Sequence, residues 1–203
     1  MNDKNLLQSE KIYSAEEYLK IERNAATKHE FIGGKVLAKA GSNRTHCLIA
    51  SNTTIAIGNR IQVQKSEIYA GNMRVQMSPN RFSYPDVVIA SDKPAFTDNQ
   101  FDVLLNPTIV IEIYSKNTST LDKTEKLEHY LAMNSIREYM HIKEDEMRVE
   151  HYFKQNPKQW IYRIYNDREE VISLESVNCK ISLVEIYAQI KFAQPEIKAQ
   201  SVA

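Results

Sequence analysis

Two apolar runs stand at the centre of the chain, Val87-Val88-Ile89-Ala90 and Ile109-Val110-Ile111 with Ile113 and Tyr114 beyond. Such runs, without alternation, predict strands covered on both faces. Glu30-Phe31-Ile32 and Lys35-Val36-Leu37 flank Gly33-Gly34, the pattern of a two-residue hairpin. Ser14 and Glu17 form a capping box that opens a short helix through Tyr18-Leu19. From 43 to about 61, Leu48, Ile49, Ile55 and Ile61 recur near helical spacing and predict a long helix. Short strands are expected at 67–69 and 73–77, with Asn72 as the turn between them, and a polar loop at 91–100.

Ser119 or Thr120 can cap a helix from 121 to about 133. A strand follows at 137–142. Alternation predicts a hairpin from 146–153 and 159–165 around Asn156-Pro157-Lys158, which Val171-Ile172 extends. Ser182 and Glu185 make a second capping box, opening a final helix through Ile190. Residues 1–11 read as a flexible leader, 12–190 as one domain and 191–203 as a flexible tail. This order predicts an α/β fold, a mixed β-sheet flanked by helices.

The two central strands carry acids. Tyr84-Pro85-Asp86 runs into the first, and Glu112 interrupts the second. A buried carboxylate is costly unless a cation, a hydrogen bond or a proton compensates it. Strand alternation puts Ile111 and Ile113 on the face opposite Glu112, so its position asks for a buried partner or a function. If the strands are neighbours, the two acids can hold a hard cation through oxygen, and Mg2+ or Mn2+ suits such a site. On the following helix Asp122, Lys126 and Tyr130 are spaced i, i+4, i+8 and share a face. Lys126 could neutralise charge on a phosphate, and Glu30 could add a third carboxylate.

Composition narrows the classes. The 203 residues carry 26 Lys+Arg and 26 Asp+Glu, so overall charge does not favour nucleic acid and any DNA surface must be local. Cys47 and Cys179 lie in no metal-like spacing and read as free thiols. No apolar stretch reaches the length of a membrane span and no signal sequence opens the chain, so the expected location is cytoplasmic.

Four segments in order resemble the Uma-two family of restriction-endonuclease-like proteins. They are Lys28-His29-Glu30-Phe31-Ile32-Gly33-Gly34-Lys35-Val36, Tyr84-Pro85-Asp86-Val87-Val88, Pro107-Thr108-Ile109-Val110-Ile111-Glu112-Ile113-Tyr114-Ser115, and Asp122-Lys123-Thr124-Glu125-Lys126-Leu127-Glu128-His129-Tyr130. The resemblance spans roughly residues 13–188. It implies the PD-(D/E)XK, restriction-endonuclease-like fold and a metal-dependent endonuclease acting on DNA. Asp86 and Glu112 would then be catalytic and metal-binding, Glu30 a further metal-binding acid, and Lys126 the catalytic lysine. In the usual nuclease pattern the lysine lies two residues after the glutamate, where this chain has Tyr114. The family serine, here Ser115, is followed by Lys116 rather than proline, so Lys116 is a second candidate cation. His46, Ser115, Lys116, Asp122 and Tyr130 are candidate site-lining residues. Cutting both strands of a duplex would call for a homodimer. The alternative reading is a nuclease-fold module that binds nucleic acid or protein without cutting.

Overall fold

The computed structural model of the protein describes residues 11–61, 65–115 and 120–192, apart from the side chains of residues 120–122. Residues 1–10 of the expected leader and 193–203 of the expected tail lie outside the described residues.

Helix α1 (Ala15–Glu22) begins with the expected reciprocal cap, in which Ser14 Oγ accepts from the Glu17 amide and Glu17 Oε2 accepts from the Ser14 amide. The box satisfies two backbone donors that the first turn would otherwise leave open. Strands β1 (His29–Ile32) and β2 (Lys35–Ala38) form the expected hairpin. Gly33 and Gly34 take φ of 56° and 90°, a left-handed pair that only glycine adopts freely. Helix α2 (Arg44–Gly58) is capped by Asn43, whose side chain accepts from the His46 amide.

Strands β3 (Ser66–Ala70), β4 (Arg74–Ser78), β5 (Arg81–Ser83), β6 (Val87–Ser91), β7 (Val103–Leu104) and β8 (Ile109–Tyr114) follow. Helix α3 (Thr120–Ala132), strands β9 (Glu138–Lys143), β10 (Val149–Asn156), β11 (Gln159–Tyr165), β12 (Val171–Leu174) and β13 (Cys179–Ser182), and helix α4 (Leu183–Ile186) complete the fold. The strands form a five-stranded sheet in the order β2-β1-β5-β4-β7 and a six-stranded sheet in the order β11-β10-β9-β8-β6-β3. The second is mixed, since β8 pairs parallel with β9 and antiparallel with β6. The chain crosses from the first sheet to the second between Ser83 and Val87, through Tyr84-Pro85-Asp86.

Both faces of β6 and β8 are buried, as their unbroken apolar runs predict. Val87, Ile89, Ile109, Ile111 and Ile113 pack with α2 and α4 through Ile49, Ile57, Leu183 and Ile186. Val88 and Val110 pack on the other side with Tyr130 of α3 and Val75 and Met77 of β4. Glu112 shares the parity of Val110 and therefore faces α3.

Several expectations need correction. Val171-Ile172 does not extend the long hairpin; β12 pairs with β13 in a separate two-stranded sheet. The final helix ends at Ile186 rather than Ile190. Helix α2 stops at Gly58, and Ile55 points outward with 59% of its surface exposed. Its buried positions are Ile49, Thr53, Ala56 and Ile57, a narrower stripe than the apolar spacing predicts. Strand β10 begins at Val149, not 146. Strands β5, β7 and β13 had no sequence expectation. Both cysteines are free, as expected.

Candidate active site

The centre forms where β1, β5, β6, β8 and α3 converge. In the β6–β8 ladder Val87 lies opposite Ile111, so the next pair by register is Asp86 with Glu112. The Ile113 amide donates to Asp86 Oδ2 at 2.8 Å and fixes that carboxylate at the end of β8. In the β1–β5 ladder Phe31 lies opposite Phe82, so Glu30 and Ser83 fall side by side. Ser83 Oγ donates to Glu30 Oε1 at 2.7 Å, and Lys126 Nζ donates to the same oxygen at 2.9 Å. Tyr130 lies four residues, about one helical turn, after Lys126 on the same buried face of α3, and the Tyr130 hydroxyl donates to Glu112 Oε1 at 3.3 Å.

A second set of cations covers Asp86. Its Oδ1 lies 3.0 Å from His46 Nε2 and 3.4 Å from Lys39 Nζ. The Lys39 ammonium also donates to the Tyr84 carbonyl. His46 stands in the first turn of α2, and its Nδ1 lies 3.7 Å from Glu144 Oε2. Asn43 Nδ2 donates to the other Glu144 oxygen at 3.0 Å. Behind the crossing segment, the Tyr84 hydroxyl accepts from Arg74 Nε at 2.8 Å and donates to Glu22 Oε1 at 2.9 Å. This buried network holds Tyr84, and through Pro85 it fixes the approach of Asp86.

Electrostatics separates the three acids. Burial alone would raise the Asp86 carboxyl, but the His46 hydrogen bond, the Lys39 charge and the Ile113 amide hold it below its ordinary value. Burial also works against Glu30, and Lys126 with Ser83 keeps it lowered. For Glu112, burial pushes the carboxyl up to about 7; Lys126 opposes the rise, while Asp86 adds to it. Three buried carboxylates thus cluster with two ammonium groups and one imidazole, and Glu112 is the one left short of positive charge.

Among the described residues, no group of three or more His, Cys, Asp or Glu side chains is placed to hold a metal on its own. Magnesium needs less, since one or two carboxylates with water and substrate phosphate are its usual ligands. Asp86 and Glu112 supply two hard oxygen donors from opposed positions, and the under-compensated Glu112 carboxyl is the one a cation would ionise. These residues fit such an ion.

The structure brings Asp86, Glu112, Glu30, Lys126, Tyr130 and His46 together. Ser115 stands half-buried at the end of β8. Lys116 and the Asp122 side chain lie outside the described residues. Tyr114, at the usual lysine position, is buried with its hydroxyl 3.2 Å from that of Tyr139. Lys39, Ser83 and Glu144 were not found from the sequence. A serine opposite Glu30 and a lysine just past the hairpin become visible only once the strands are paired.

A mixed α/β fold with this carboxylate–lysine arrangement belongs to the restriction-endonuclease-like class. The family profile described as "Putative restriction endonuclease", Uma2, matches residues 15–184, and the chain belongs to that family. The uncharacterized protein sll1609 of Synechocystis sp. is 33% identical over 152 residues, covering 74% of this chain and 86% of its own length. A second Synechocystis protein, slr1290, is 23% identical over 180 residues, covering 88% and 93%. In fold, the chain is similar to the crystal structure of a "putative nuclease belonging to DUF820" from Anabaena variabilis, with a TM-score of 0.71, 19% identity, and coverage of 85% of this chain and 96% of that one. Among the described residues, no helix is long and apolar enough to cross a membrane.

Proposed function

We propose that this chain is a metal-dependent endonuclease that hydrolyses DNA phosphodiester bonds. The observation that carries the reading is the register that sets Asp86 opposite Glu112, with both carboxylates buried within reach of lysines. In this reading Asp86 and Glu112 hold Mg2+ or Mn2+, and Glu30 is a third acid that orients Lys126. A bound ion would activate a water and neutralise charge on the phosphate oxygens. Lys126 adds a fixed positive charge on the α3 side. Lys39, whose ammonium lies 3.4 Å from Asp86 on the opposite side, would meet a non-bridging phosphate oxygen. Tyr130 steadies Glu112 through its hydroxyl. A cut through both strands of a duplex needs two such centres and hence a homodimer; a nick needs one.

Magnesium- or manganese-dependent nicking of supercoiled DNA tests the reading, with metal binding followed by calorimetry. Cleavage that disappears in Glu112→Gln supports it. Absence of both cleavage and metal binding sinks it. A second reading, a non-cutting nuclease-fold module, draws on the internal compensation of Asp86 by Lys39, His46 and the Ile113 amide. That reading expects DNA binding untouched by Glu112→Gln and no hydrolysis at all.

A further inference from the structure

A cleft of about 810 Å³ opens beside Asp86 and runs along α2. One wall is a stripe of α2 that includes His46, Ala50, Ser51 and Ile55, and Lys28 and Lys39 stand across from it. Asp86 is the sole acid among the described lining residues, against two lysines and a histidine. The cleft is therefore electropositive, although the chain as a whole is neutral. The Lys28 ammonium is fixed at the rim by donating to the Gly71 carbonyl at 2.6 Å.

Size and depth decide what fits. The volume lies in the range of pockets that enclose one small ligand, roughly 300–1,000 Å³, which suits a nucleotide or two and not a duplex. The acid that the cleft reaches is recessed, with Asp86 only 6% exposed. A phosphate on an unbroken duplex is carried on a wide, stiff cylinder, of which a cleft of about 810 Å³ holds only a small part. A peeled or single strand can enter it. Among the described residues no aromatic side chain lines the cleft, so the lysines supply affinity through phosphates.

We infer that the cleft along α2 is the entry channel for one single strand of nucleic acid, so that the substrate of the proposed nuclease is single-stranded, flapped or frayed DNA rather than continuous duplex. The inference rests on the nuclease reading for its chemistry but not for its binding, and the experiment separates the two.

Fluorescence anisotropy in metal-free buffer compares a labelled single strand with the blunt duplex of the same sequence. The expected result is single-strand binding at least about tenfold tighter than duplex binding. Ser51 is exposed on the channel wall, and Ser51→Trp fills the channel without touching the core. It should weaken single-strand binding about tenfold and leave the duplex value unchanged. Lys28→Met should lower the salt slope of single-strand binding by about 0.7, one phosphate contact. Equal or tighter binding of the duplex, or a Ser51→Trp protein that binds the single strand normally, overturns the channel. Cleavage is then assayed on the same substrates with manganese. Channel behaviour as expected with no hydrolysis of any substrate keeps the strand-binding inference and refutes the nuclease reading. Hydrolysis of continuous duplex as fast as of the single strand refutes the inference alone.

Discussion

The amide of Ile113 donates to the Oδ2 atom of Asp86 at 2.8 Å, locking the first acid of the centre to the residue that follows the second. The two acids are thereby spaced by backbone geometry rather than by flexible side chains.

Asparagine at position 86 keeps an oxygen for the Ile113 amide and removes the charge facing Lys39 and His46. Asp86→Asn should lower metal-supported cleavage at least about 100-fold. It should cost only about 1–3 kcal/mol of stability, because the backbone bond survives. Nicking assays and denaturant melts check the two effects; full activity in a folded variant would remove Asp86 from the centre.

Glu112 gives the opposite balance. Its folded carboxyl is raised from 4.5 to about 7, so the metal-free fold resists ionisation and loses stability as pH rises through that window. Glu112→Gln has no charge to bury. At about pH 8 the metal-free variant should be more stable than the parent by about 1–3 kcal/mol, although inactive. Below pH 4.5 the gap should close. Chemical denaturation at both pH values measures it, and a variant less stable than the parent at the higher pH contradicts the account.

Lys126 and Glu30 form a pair whose side chains are only 10% and 11% exposed. Lys126→Met leaves Glu30 buried without its ammonium and should cost about 3–5 kcal/mol. Adding Glu30→Gln to that variant should restore part of the loss, because the stranded charge is gone. A double-mutant cycle gives the coupling, and simple additivity would mean the pair does not interact.

His141 offers a pH response apart from the acids. Burial lowers it from 6.5 to about 4, and the Glu150 charge only partly offsets that. The unfolded chain therefore binds a proton that the folded one refuses, and stability falls as pH drops from 6.5 toward 4. His141→Gln should flatten this part of the stability–pH curve by about 1–3 kcal/mol. Thermal melts across the window decide it; an unchanged curve assigns the acid sensitivity elsewhere.

Local chemistry made much of the fold readable. The Ser14 and Ser182 boxes, the Gly33-Gly34 turn and the apolar β6 and β8 runs each act within a few residues, and each appears where expected. Strands β5 and β7, of three and two residues, are too short to show a period. Val171 pairs with Ser182 rather than with the long hairpin, because pairing between strands leaves no local trace in the sequence. Ile55 fitted a helical stripe yet faces the channel, since spacing defines a stripe but not what covers it. Asp86 and Glu112 are legible in the sequence as costly charges on apolar strands, and Lys126 through its helical spacing and the family resemblance, whereas Lys39 joins them only through tertiary folding.

The acids and lysines of the centre are divided along the chain in a telling way. Glu30, Lys39 and Asp86 come before the exposed loop containing Asn99 and Gln100, while Glu112 and Lys126 come after it. A polypeptide severed at that loop would carry part of the proposed hydrolytic centre on each fragment. Under the proposed nuclease function neither fragment would cut alone, and restored cutting would register their reunion, as in a split reporter.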